Sequence, residues 1–174
     1  ARLAPEARGK AIELELPTGF RVSDFVERGF GLAERLSHTE LLPWIGGAST
    51  ELSKTRPLTP AQWPNPAGPE GSWQLTGEVK GPAAFIDPSG RPERWASTDG
   101  VWTHGYWQFD WAEHRVPVKS YDKATKQVTL AESGEGPLKS YGLFKGRRFI
   151  YLNVLEELDQ PGEYWLDPKG NRIL

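Results

Sequence analysis

Alternating apolar and polar residues mark several stretches of the chain as β-strands, because successive side chains of a strand point to opposite faces of a sheet. The clearest alternation is in residues 10–17, where Ile12, Leu14 and Leu16 share one face and two glutamates share the other. This pattern predicts a half-buried strand. Further strands are predicted at 72–79, 101–111, 114–121, 126–132 and 147–154.

Glycine and proline, 19 and 15 residues, are spread along the chain and separate these stretches into many short elements. The motif Asp-Pro-x-Gly at 87–90 and 167–170 predicts two hairpin turns, since Asp bonds its own backbone and Gly tolerates positive φ. Segment 55–71 has too many prolines for a central strand. Helix is limited to a turn or two at 91–97 and 154–162. The predicted fold class is all-β, an antiparallel β-sandwich or barrel with one or two short helical turns.

Length and composition favour a single β-rich domain over residues 1–174. The absence of methionine favours a domain excised from a larger protein. The net charge is -2, and no run of Lys and Arg is long enough to follow a phosphate backbone, which argues against a nucleic-acid partner. No apolar run approaches the roughly 20 residues of a membrane span, so no membrane partner is expected.

The stretch 101–111 holds the densest aromatic sequence and divides into two strand faces. The first face is predicted to be core and comprises Val101, Thr103, Gly105, Trp107, Phe109 and Trp111. The second mixes rings with hydrogen-bonding groups and comprises Trp102, His104, Tyr106, Gln108 and Asp110. Such a mixture suits sugars, whose C–H faces stack on rings while their hydroxyls form hydrogen bonds. Trp63, among prolines, is predicted to be a second stacking platform. The alternative is that both faces are covered and the whole stretch is structural.

Candidate catalytic and metal-ligating patterns are weaker. His104 and His114 are ten residues apart and fit no metal motif, so no metal and no cofactor are predicted, with a structural calcium ion left open. No GxSxG nucleophile occurs. The carboxylates between Glu156 and Glu163 contain pairs that could meet the spacing of a glycosidase acid and base, or could simply decorate a short helical turn.

Four segments resemble the inserted β domain of right-handed parallel β-helix proteins, which include glycoside hydrolases and polysaccharide lyases. The distinctive segments are 102–114, "WTHGYWQFDWAEH", and 147–174, with "NVLEELDQPGEYWLD" at its centre; 2–14 and 57–68 also match, although Gln62 stands where arginine is expected. The resemblance implies a domain separated from the β-helix that carries the catalytic acids. No coil repeat is present, so no catalytic residue is carried over, and the matching acidic residues could be shared for folding alone.

The sequence therefore predicts a non-catalytic accessory domain, carbohydrate-binding, of an exported polysaccharide-degrading enzyme. Its expected location is extracellular or periplasmic, and its expected partners are a polysaccharide or oligosaccharide and the parent β-helix domain. The predicted ligand-binding residues are Trp63, Trp102, His104, Tyr106, Gln108 and Asp110. Two alternatives are a small glycoside hydrolase or lyase that uses the Glu156–Glu163 carboxylates, and a purely structural bracing domain.

Overall fold

The computed structural model describes residues 2–16, 18–19, 21–23, 58–66, 72–131 and 137–174. The described chain is all-β, as predicted. Its strands are β1 (Thr59–Pro60), β2 (Gln62–Trp63), β3 (Gln74–Leu75), β4 (Val79–Gly81), β5 (Ala84–Ile86), β6 (Trp102–Tyr106), β7 (Glu113–Asp122), β8 (Gln127–Leu130), β9 (Arg148–Leu152), β10 (Glu163–Tyr164), β11 (Leu166–Asp167) and β12 (Arg172–Ile173). A short helix, α1, spans Pro137–Tyr141, and 3-10 turns span Pro5–Ala7, Arg91–Arg94 and Leu155–Glu157.

Eight strands form one antiparallel sheet in the order β2-β9-β6-β7-β8-β5-β4, with β3 also paired to β9. The long strand β7 pairs with β6 through residues 113–117 and with β8 through residues 118–122. The register shifts between Val118 and Ser120, and such a bulge bends a strand. The two halves of the sheet therefore meet face to face, as in a β-sandwich.

The main core lies between these two halves. Strand β9 contributes Phe149 and Tyr151, which pack edge to face at 5.1 Å, and Phe85 of β5 meets Phe149 at 5.0 Å. Trp107 stacks on Phe149 at 5.9 Å. Gly105 makes room for that ring, because a Cβ there would lie 2.9 Å from both the Phe149 Cβ and the Trp107 ring.

A second apolar cluster covers one end of the opposite face of the sheet. It contains Val22, Trp102, Leu152, Tyr164, Leu166 and Ile173. Asn153, at φ 61, holds this region in place: its Oδ1 accepts the Leu166 N–H at 2.8 Å, and its Nδ2 donates to the carbonyls of Gly100 and Leu166. Among the described residues, this cluster covers only one end of that face.

The strands predicted at 114–121, 126–132 and 147–154 are confirmed as β7, β8 and β9, with Glu132 outside the described residues. The predicted strand 72–79 is broken into β3 and the start of β4. The prediction of a strand at 10–17 is wrong beyond a single bridge, between Leu14 and Ile173. Ile12 is exposed there, and no strand of the described residues extends the pairing.

The two Asp-Pro-x-Gly motifs both form turns but only one closes a hairpin. The turn at 167–170 joins β11 to β12, and Asp167 accepts the backbone N–H groups of Lys169 and Gly170. The turn at 87–90 leads instead into the 3-10 turn that begins at Arg91, while β5 pairs with β4 and β8. The hairpin prediction at 87–90 is therefore wrong, although its local turn is right.

Of the proline-rich segment 55–71, residues 58–66 are described. Strand β2 of this segment lies at the edge of the sheet, where neighbouring prolines are tolerated.

Candidate functional site

The other end of that sheet face carries a group of rings and charges that we call the polar face. It consists of Trp73, His104, Tyr106, Glu113 and Arg148. Strand β6 places His104 and Tyr106 on the side away from the main core, and pairing of β6 with β7 sets Tyr106 opposite Glu113. Arg148 lies on the same side because its neighbour Phe149 points into the core.

The polar groups of this face interact with one another. The His104 Nε2 lies 3.1 Å from Glu113 Oε2, and the Tyr106 hydroxyl donates to the same oxygen at 3.3 Å. The hydrogen bond from His104 lowers the pKa of the Glu113 carboxyl. Trp73 meets both rings edge to face, at 6.0 Å from His104 and 5.7 Å from Tyr106. The result is a half-buried surface of rings with hydrogen-bonding groups at their edges.

Two of the sequence-predicted site residues do not belong to this face. Trp102 shares its side of β6 but is only 9% exposed, because the second apolar cluster covers it. Trp63 is paired with Tyr151, stacks on it at 6.3 Å and packs against the main core, so it lies on the opposite side of the sheet. The structure therefore brings together His104 and Tyr106, places Trp63 on the other side of the sheet and buries Trp102 in the second apolar cluster.

Gln108 and Asp110 lie beyond the end of β6, in the loop between β6 and β7. Gln108 is half-buried, and its Oε1 has no hydrogen-bond partner among the described residues. Asp110 is exposed and approaches two guanidinium groups, Arg148 at 3.7 Å and Arg147 at 3.9 Å. Asp110 thus borders the polar face through Arg148.

The same loop presents aromatic rings that sequence analysis assigned to the core. Phe109 and Trp111 stack in parallel, with ring centroids 5.3 Å apart and an angle of 5° between the ring planes. Tyr141 of α1 meets both rings edge to face, at 5.6 and 5.7 Å. Trp111 is 71% exposed. We call Phe109, Trp111 and Tyr141 the ring platform.

The core prediction for Phe109 and Trp111 is wrong because the alternation was extended past the end of the strand. Strand β6 ends at Tyr106, the next residue, Trp107, is buried, and the chain then turns toward β7. A usable signal was present: the predicted strands 101–111 and 114–121 leave only residues 112–113 to connect them, and neither is a Gly, Asn or Asp of the kind that a two-residue hairpin turn favours. Tyr141 had no such signal, because α1 was not predicted.

The carboxylates proposed as an alternative catalytic group are each engaged in a structural contact. Glu157, which is 2% exposed, pairs with Arg91 and accepts the Trp95 indole N–H. Glu156 pairs with Arg2 at 2.9 Å and accepts the backbone N–H of Ala96. These contacts give both side chains a role in folding.

Asp159 and Glu163 line a cleft of about 440 Å³ between the N-terminal segment and the loop before β10. Asp159 accepts a hydrogen bond from Asn65 at 2.9 Å. Glu163 accepts the backbone N–H groups of Asp159 and Gln160, and burial raises the pKa of its carboxyl. A raised carboxyl pKa is one requirement of a general acid. The Glu163 carboxylate, however, is already engaged by backbone N–H groups of its own loop.

Two kinds of feature are absent from the described residues. They contain no cluster of three or more His, Cys, Asp or Glu side chains that could hold a metal ion. Among the same residues, no helix has the length and apolar character needed to cross a bilayer. Comparisons of the chain with protein-family models, with curated proteins and with solved structures gave no match.

Proposed function

We propose that this chain is a non-catalytic carbohydrate-binding domain that assists a polysaccharide-degrading enzyme. The observation that carries the proposal is the exposure of Trp111 on the ring platform. A tryptophan with 71% of its surface in water, in a domain that buries Trp95 and Trp107 almost completely, has a strong tendency to acquire an apolar partner.

The geometry of the ring platform suits a sugar. Stacking on Phe109 fixes the indole of Trp111, so little side-chain entropy remains to be lost when a ligand binds. A pyranose presents an apolar C–H face of similar size, with hydroxyls around its rim. Flat rings flanked by polar groups match both parts of such a ligand.

Hydroxyl partners are available on the polar face. The Tyr106 hydroxyl, the His104 imidazole and the Glu113 carboxylate offer donors and acceptors at a half-buried surface. Asp110 lies in the loop between these groups and Trp111, so the two surfaces are joined by a short continuous segment of chain.

The accessory role rests on the resemblance of segments 102–114 and 147–174 to the inserted domain of β-helix carbohydrate-active proteins. This resemblance implies the parent β-helix domain as a second partner. It also implies an extracellular or periplasmic location. The structural contacts of Glu156 and Glu157 support a domain that does not itself cleave glycans.

Replacing Trp111 by alanine is expected to weaken binding to any recognised glycan by at least about tenfold, because roughly 50 Å² or more of apolar stacking surface is lost. Isothermal titration with a panel of soluble plant, algal and bacterial polysaccharides measures this. Ile12→Ala is the matched control, since Ile12 is also exposed but lies outside both surfaces. It should leave the affinity unchanged.

No binding by the folded wild-type domain across the panel would contradict the proposal and favour a bracing domain that buries the ring platform against its parent protein. A second candidate, hydrolysis, is favoured by the raised carboxyl pKa of Glu163 beside Asp159 in one cleft. Release of product by the isolated chain, lost in Glu163→Gln, would establish that candidate instead.

A further inference from the structure

Arg148 has an unusual setting at the centre of the polar face. Its guanidinium carbon lies 4.2 Å from the ring centroid of Tyr106 and 5.3 Å from that of Trp73. These two rings hold the planar group by cation–π contacts and restrict its orientation. The side chain is nevertheless 40% exposed, so part of the guanidinium remains accessible to a ligand.

One hydrogen-bond donor of this guanidinium is unused within the described chain. Its Nε is buried and has no hydrogen-bond partner there, and the nearest carboxylate oxygen, Asp110 Oδ1, is 3.7 Å away. That separation exceeds hydrogen-bond distance. A guanidinium offers five N–H donors in a rigid fork, which fits the two oxygens of a carboxylate.

Among the described residues, no carboxylate forms a close ion pair with Arg148. The carboxylate of Glu113 is already engaged by His104 and Tyr106. The exposed carboxylate of Asp110 is shared at long distance between Arg148 and Arg147. Two arginines therefore share one loosely placed acidic group, and an incoming carboxylate could satisfy them better than Asp110 does.

We infer that the polar face selects acidic glycans, and that Arg148 binds the carboxylate of a uronate residue between Trp73 and Tyr106. This inference rests on the proposed glycan-binding function and specifies its ligand class. The sugar ring beside the bound carboxylate meets the edges of Trp73 and Tyr106, while Asp110 is displaced into solvent. Arg148 is then the specificity-determining residue, and the ring platform provides stacking for either neutral or acidic sugars.

The test compares polygalacturonate and alginate with the carboxyl-reduced product of each, which keeps the chain length and loses the charge. The wild-type domain should bind at least one uronate polymer at least about tenfold more tightly than its reduced product. That preference should shrink as salt is raised, because exposed charge pairs are screened. Arg148→Gln should abolish the preference, and Arg148→Lys should restore it only in part, since a lysine lacks the planar fork.

Two further variants separate a specific role from a general charge effect. Asp110→Asn removes the competing carboxylate and should strengthen binding of the uronate polymer. Arg94→Gln removes an exposed positive charge elsewhere and should leave the preference intact. The melting temperature of each variant should stay near that of the wild type, because Arg148, Asp110 and Arg94 all have substantial contact with water.

The outcomes distinguish the two proposals. Equal affinity for acidic and reduced polymers, lost in Trp111→Ala but unchanged in Arg148→Gln, would overturn the uronate inference and leave glycan binding intact. Binding of neutral panel glycans without binding of either uronate polymer would do the same. Absence of binding to every polymer would overturn both.

Discussion

Glu157→Ala is expected to lower the free energy of unfolding by about 3–5 kcal/mol, the usual effect of removing one partner of a buried ion pair. The Glu157 carboxylate accepts hydrogen bonds from Arg91 Nη2 at 2.6 Å, Arg91 Nε at 2.8 Å and the Trp95 indole at 2.7 Å. Alanine leaves the guanidinium, whose pKa is raised by its hydrogen bond to Glu157, and a buried indole N–H without their acceptor. Urea denaturation followed by tryptophan fluorescence measures the loss.

Glu78→Ala is the control for this change. Glu78 pairs with Lys80 at 3.0 Å, yet its side chain is largely exposed, so its removal should change stability by less than about 1 kcal/mol. Near-equal effects of the two substitutions would mean that the Glu157 pair is not a buried structural contact. A stability close to wild type in Glu157→Ala, together with loss of a hydrolytic activity, would instead favour the enzymatic alternative.

Trp107→Ala is expected to destabilise the fold by about 3–5 kcal/mol, as truncation of a large buried ring does. Trp107 is 1% exposed, packs against Phe85 and Phe149, and donates its indole N–H to the carbonyl of His114 at 3.1 Å. Its loss removes this hydrogen bond and leaves a cavity between the two halves of the sheet. The midpoint of urea unfolding should fall with little change in its slope.

Trp111→Ala provides the matched comparison, four residues further along the chain. Because Trp111 is exposed and contacts only Phe109 and Tyr141 among the described rings, its removal should change stability by less than about 1 kcal/mol. Destabilisation of Trp111→Ala as large as that of Trp107→Ala would show that the ring platform is part of the core. The glycan-binding proposal would then lose its main support.

The fold class and the central strands could be predicted because their pattern is local. In β7, β8 and β9 the alternation of apolar and polar residues matches the burial of alternate side chains. Residues 10–17 carry an equally regular alternation, yet among the described residues of this segment only Leu14 pairs, with Ile173. Alternation expresses a preference for a half-covered surface, and a strand forms only where a neighbour supplies hydrogen bonds.

The candidate site was only partly predictable, for a related reason. The sequence indicated that His104 and Tyr106 share a face with hydrogen-bonding character, since they are two residues apart on one strand. It could not indicate that Glu113, Trp73 and Arg148 meet them, because these residues come from β7, from the segment before β3 and from β9. Long-range pairing of strands alone brings those side chains together.

The sequence by itself determined what each residue's immediate neighbours can decide: the all-β class, the main strands and the local Asp-Pro-x-Gly turns. Only the tertiary structure decided which rings are buried. Trp102 and Trp107 fill two apolar clusters, whereas Trp111 lies in water, although all three belong to one aromatic stretch. The physical reason is that burial depends on which surfaces the sheet brings together, and strand alternation fixes only relative orientation, up to the residue at which the strand ends.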